Sequence, residues 1–170
     1  MGLSEMKVCS KGLICLGTVL WVSNPCFADA DRGAYLAKIM DCGGCHTPGT
    51  MKGQPDTSRN LAGGDVGFKI EGLGIFYPPN LTSDKETGLG NWSAAQIQAA
   101  ITKGVRPDGR QLAPIMPWHS YSALTEADAA DLVSYIQQLA PIKNAVPGPV
   151  GENENAPLPY LAIAGSTGKD

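Results

Sequence analysis

Cys42 and Cys45 stand three positions apart, and a histidine follows directly, giving the run Cys42-Gly43-Gly44-Cys45-His46. At that spacing two thiols can reach the two vinyl groups of one porphyrin and form thioethers. The adjacent imidazole is then held under the iron as a proximal ligand. The pattern C-x-x-C-H is the attachment signature of a covalently bound haem c. A bare C-x-x-C has other readings: a thioredoxin-like redox pair, half of a zinc site, or a structural disulfide. Zinc takes four ligands from Cys, His or carboxylate, and beyond the first 28 residues the only cysteines and histidines are Cys42, Cys45, His46 and His119, two of them adjacent. A thioredoxin-like pair needs a strand before it and a βαβ surround, which the sequence does not display. The favoured reading assigns no catalytic residue. It assigns Cys42 and Cys45 to one covalent haem and His46 to its iron.

An electron-transferring haem iron normally has a sixth ligand. The candidates are Met40, Met51, Met116 and His119. Met40 and Met51 lie too close to the motif for the chain to pass around a porphyrin edge. Met116 is 70 positions beyond His46, in Ala113-Pro114-Ile115-Met116-Pro117-Trp118, where two prolines disfavour helix and predict an extended, rigid loop. Thioether ligation would raise the reduction potential. Met116 is therefore the first choice and His119 the competitor. Trp118, Tyr121 and Tyr77 are candidates to pack on the haem edge or donate to a propionate, with plain core as the alternative for each. Arg106 and Arg110 flank the turn Pro107-Asp108-Gly109 and read as solvated loop charges.

The chain around these residues has 170 positions, a net charge of −3, 21 glycines, 13 prolines and only 6% aromatics. This is one loop-rich domain, acidic enough to give no sign of nucleic-acid binding. Its side chains alone fill a core poorly, and a buried porphyrin would supply what is missing. Residues 1–28 read as a secretory signal peptide: Lys7 and Lys11, an apolar run from Leu13 to Val22, and Cys26-Phe27-Ala28 as the cleavage site. The run has half the roughly 20 residues that a membrane-spanning helix needs. Cleavage near Ala28 removes Cys9, Cys15 and Cys26 and leaves two cysteines, both consumed by the haem. It also removes Lys7, Lys11 and Glu5, taking the net charge to −4. A periplasmic location follows from this reading.

Three helices are predicted to position the site. Asp31–Met40 has Tyr35, Leu36 and Ile39 at helical spacing, with Asp29 or Asp31 as cap. Ser93–Lys103 has Ile97, Ala100 and Ile101, with Asn91 or Ser93 as cap and Gly104 as terminator. Thr125–Leu139 opens on a capping-box-like Thr125-Glu126-Ala127-Asp128, buries Leu132, Tyr135, Ile136 and Leu139, and stops before Pro141. Residues 47–91 predict a long loop wrapped over one edge of the prosthetic group, with a short hairpin around Phe68–Phe76. Residues 29–147 form the haem domain, and 148–170 a Pro/Gly-rich tail.

Two stretches carry a family resemblance. They are Tyr77-Pro78-Pro79-Asn80-Leu81-Thr82 with Asp84-Lys85-Glu86-Thr87-Gly88-Leu89-Gly90-Asn91-Trp92-Ser93, and Gly104-Val105-Arg106-Pro107-Asp108-Gly109-Arg110 followed by Met116-Pro117 and Ser120-Tyr121. With Leu124-Thr125 and Asn144-Ala145-Val146-Pro147 they resemble the cytochrome c subunits of periplasmic alcohol, gluconate and aldehyde dehydrogenases. The resemblance implies an all-α, class I-type cytochrome c fold of about three main helices, with haem on Cys42 and Cys45 and His46 and Met116 as axial ligands. It implies a non-enzymatic carrier of single electrons, from a dehydrogenase towards an oxidase, a quinone-linked complex or another cytochrome. Those subunits often carry three haem domains and a C-terminal membrane helix, whereas this chain looks like one such domain without an anchor. The rival reading is a haem enzyme or ligand sensor with an open or displaceable sixth position.

Overall fold

The computed structural model describes residues 28–164. The predicted leader lies outside the described residues apart from Ala28. Helix α1 (Ala30–Ile39) is capped by Asp29, whose side chain accepts from the amides of Asp31 and Arg32. Helix α3 (Ala94–Lys103) starts from a complete capping box between Ser93 and Gln96, and ends at Gly104 in the left-handed region. Helix α5 (Glu126–Gln138) is capped by Thr125, whose oxygen accepts from the Asp128 amide. These are the three predicted helices, each within a residue or two of its expected bounds.

Two short helices join them. Helix α2 (Cys42–His46) is the C-x-x-C-H run itself. Helix α4 (Trp118–Tyr121) begins straight after Pro117, so the expected extended stretch around Met116 is instead a turn followed by a helical turn. The chain is mainly helical but not all-α. Strands β1 (Gly67–Ile70) and β2 (Gly74–Phe76) form the predicted hairpin with Phe68 opposite Phe76. A third strand, β3 (Tyr160–Leu161), pairs parallel with β1 and comes from the tail.

The core lies where α1 crosses α5, with α3 against α5. Leu36, Ala37, Ile97, Ile101, Leu132, Val133 and Ile136 fill it. Tyr35 and Ile39, expected on the inner face of α1, are 56% and 58% exposed. The buried face is Gly33, Leu36 and Ala37, because α1 approaches α5 at its glycine: a Cβ on Gly33 would strike the backbone carbonyl of Asp131. Among the described residues no helix is long and apolar enough to cross a membrane.

The tail is bonded to the domain. Tyr77 donates its hydroxyl to the Leu158 carbonyl at 2.6 Å, and the hydroxyl oxygen accepts from the Leu158 amide at 3.3 Å. Val150 bridges Ile75, and the Gly72 amide donates to Glu152.

Candidate haem-binding site

A helix turns about 100° per residue, so Cys42, Cys45 and His46 project from one face of α2, and Gly43, Gly44 and Thr47 from the other. A cleft of about 580 Å³ lies on the glycine side, lined by Gly43, Gly44, Thr47, Asp41 and Tyr135, and includes neither cysteine, His46 nor Met116. The chemistry is therefore on the opposite face. Cys42 and Cys45 are free thiols. Burial pushes Cys42 up to about 11, and burial followed by the Asp41 carboxylate raises Cys45. Both shifts favour the neutral thiol over the thiolate. Among the described residues, no group of three or more His, Cys, Asp or Glu side chains gathers as a metal site.

His46 is 7% exposed, and its Nδ1 lies 2.8 Å from the Pro79 carbonyl. A carbonyl only accepts, so Nδ1 donates and Nε2 keeps its lone pair. Burial lowers the pKa of His46, against the opposing effect of the Pro79 bond, and so favours the neutral ring. A neutral imidazole anchored through one nitrogen is the usual state of a metal-ligating histidine.

Two loops hold this arrangement. The Gly63 amide donates to the His46 carbonyl and the Gly64 amide to the Pro78 carbonyl, at 2.7 and 2.9 Å. Behind Pro79, Asn80 and Thr82 are each 1% exposed. Asn80 donates to the Thr87 hydroxyl and the Ile142 carbonyl, and accepts from the amide and hydroxyl of Thr82. Sequence reasoning quoted the Pro79-Asn80 run only as part of a resemblance. Its signal was a double proline followed by a small amide side chain, with nothing local to show what the carbonyl meets.

Met116 is half-buried in the turn after the Val105–Gln111 bridge. It leads into α4, where Tyr121 donates to the Met40 carbonyl at 2.9 Å, tying the Met116 segment to the residues just before Cys42. The Tyr121 phenol is pushed up to about 12, first by burial and then by Cys42, Cys45 and Asp41. The other candidates are placed elsewhere. Met51 is exposed in a short 3₁₀ turn, Met40 packs on the core, and His119 is exposed and stacked on Trp118. Tyr77 and Tyr121 already spend their hydroxyls within the chain. The Trp118 Nε1 is buried with no partner. Arg106 lies 4.9 Å over the Trp92 ring and contacts Asp108.

The residues fit a covalent haem: two neutral thiols and an imidazole with a free Nε2 on one helical face, and an orphaned indole N–H two residues from a methionine. The comparisons agree. The family profile described as cytochrome c matches residues 30–140, and the chain belongs to the cytochrome c family. A domain of this family holds haem c covalently. The chain is 40% identical over 106 residues to the fructose dehydrogenase cytochrome subunit of Gluconobacter japonicus, covering 62% of this chain and 20% of that protein. It is 34% identical over 130 residues to the gluconate 2-dehydrogenase cytochrome c subunit of Pantoea cypripedii, covering 76% and 26%. It is 36% identical over 105 residues to the cytochrome c subunit of the quinone alcohol dehydrogenase of Gluconacetobacter polyoxogenes, covering 61% and 20%. The chain thus spans about a fifth to a quarter of the length of these relatives.

Proposed function

We propose that this chain is an exported carrier of single electrons with one haem c, attached through Cys42 and Cys45 and ligated by His46 and Met116. The observation that carries the reading is the clamp on His46: its Nδ1–H is committed to the Pro79 carbonyl, so Nε2 is presented on the face that also carries both thiols. When bound, the haem supplies a one-electron couple. The chain's own residues do the rest. The Pro79 carbonyl fixes the ring and raises its donor strength. Tyr121 holds the Met116 segment against the start of α2. Trp118 Nε1 offers one buried donor to a propionate. The close approach of α1 to α5 at Gly33 fixes the helix that leads into α2.

The relatives named above are dehydrogenase cytochrome subunits, which supports a periplasmic dehydrogenase as electron donor and an oxidase, quinone-linked complex or other cytochrome as acceptor. No substrate has to bind the iron, so the chain acts as a carrier and not as an enzyme. Optical spectroscopy of the purified holoprotein tests the reading. Low-spin spectra in both oxidation states, with the weak far-red band of methionine sulfur on ferric iron, are expected, along with an intact mass for one haem. A high-spin resting spectrum would sink the carrier.

A further inference from the structure

Asp131 is the one carboxylate in the buried set of the described residues. It sits on α5 where α1 crosses. Its compensation is thin: Oδ1 accepts from the backbone nitrogen of Asp29 at 2.6 Å, and Oδ2 lies 3.7 Å from Arg32 Nε. That guanidinium is already given to Asp128, to which Nε donates at 2.9 Å. A buried carboxylate with one neutral donor and one distant, shared cation is under-paired.

Asp29 is also the residue that follows the predicted cleavage point. Among the described residues, the groups that start α1 come from Asp29 itself. The Asp29 side chain accepts from the amides of Asp31 and Arg32, and its carbonyl accepts from Gly33. We propose that the nitrogen of Asp29 becomes the mature N-terminus, and that its α-ammonium forms a part-buried ion pair with Asp131. This rests on the export reading above. The step is hydrolysis of the Ala28–Asp29 peptide bond by a leader peptidase. Water supplies the oxygen of the new Ala28 carboxylate, and the Asp29 nitrogen leaves as an amine that is protonated at neutral pH. The same nitrogen, already 2.6 Å from Oδ1, changes from one neutral donor to a cation with three. A cation at a helix start opposes the helix dipole. Here the Asp131 carboxylate lies against that nitrogen, and the nearby Arg32 guanidinium is held by Asp128. Processing therefore adds to the α1–α5 joint a charge partner beyond the distant, shared Arg32.

The test uses exported holoprotein. Intact mass should place the N-terminus at Asp29. Asp131→Asn should lower the melting temperature of that protein by about 5 °C or more. In a form that retains Ala28, whose amide at Asp29 stays neutral, the same substitution should cost less than half as much. In the unsubstituted protein the α-amine should titrate above its ordinary range of about 7.7–8.0. A mature end elsewhere than Asp29 would overturn the export reading and the proposal with it. The expected mass combined with equal losses in the two forms, or an α-amine titrating in the ordinary range, would overturn the ion pair alone.

Discussion

The amide of Gly63 donates to the carbonyl of His46 at 2.7 Å, and the next residue, Gly64, lies so close to α2 that a Cβ there would strike the Cys45 carbonyl. Backbone meets backbone, so neither side can yield by rotating a side chain. Gly64→Ala should force the Gly63–Gly64 turn away from α2 and cost about 2–4 kcal/mol. Chemical denaturation of the holoprotein measures the loss, and the haem-to-protein absorbance ratio after expression should fall with it.

Asn80 satisfies four groups at once in a site with almost no solvent access. Asn80→Ala leaves the Thr82 amide without its partner and the Ile142 carbonyl with only the 3.3 Å bond from the Thr82 hydroxyl. A loss of about 2–4 kcal/mol is expected. Because Asn80 follows Pro79, the variant should also lower the reduction potential or broaden the titration, as read by spectroelectrochemistry.

Met116→Ala should convert a low-spin resting spectrum to one with a high-spin component that shifts on adding imidazole or cyanide. His119→Ala, at an exposed ring stacked on Trp118, should leave the spectrum unchanged. The reverse pattern would move the sixth ligand to His119.

Asp84 supplies the pH dependence. Its Oδ1 accepts from the Thr87 hydroxyl at 2.8 Å and from the amides of Thr87 and Glu86 at 2.7 and 3.1 Å, and these bonds lower its pKa, the Thr87 hydroxyl most. A depressed carboxylate contributes stability that is present above the unfolded value, about 3.9, and lost as pH falls through the lower folded value. Asp84→Asn should flatten the stability curve in that acid window and leave its slope near neutrality unchanged, as seen in denaturation midpoints taken from pH 2.5 to 7.

Tyr77→Phe removes both bonds to Leu158 and nothing else in the chain. It should cost about 1 kcal/mol. Limited proteolysis should show faster cutting within residues 148–164 while the haem domain stays intact.

The sequence disclosed the parts of this fold that are written locally. The caps Asp29, Ser93 and Thr125 and the terminator Gly104 bound their helices because each acts within a turn. The thiols and imidazole of Cys42–His46 were legible for the same reason. Periodicity groups residues but does not say which of them find a partner: Tyr35 and Ile39 share helical spacing with Leu36, yet α5 closes over Gly33, Leu36 and Ala37. The pairs Tyr77–Leu158, Asn80–Ile142 and Asp29–Asp131 are each separated by more than 60 positions, and no local pattern announces them. The tail therefore read as an appendage although its backbone completes a sheet.

That sheet sets an order of events. Strand β1 pairs with β2 through a turn of three residues, but Gly67 and Phe68 meet Tyr160 and Leu161 only after some ninety positions of chain. Closing so long a loop is slow and is rewarded by few contacts. In a chain made from its amino end, Cys42, Cys45 and His46 emerge long before the strand that latches the hairpin beside them. A chain extended from its amino end therefore offers both thiols before the pairing of β1 with β3 can form.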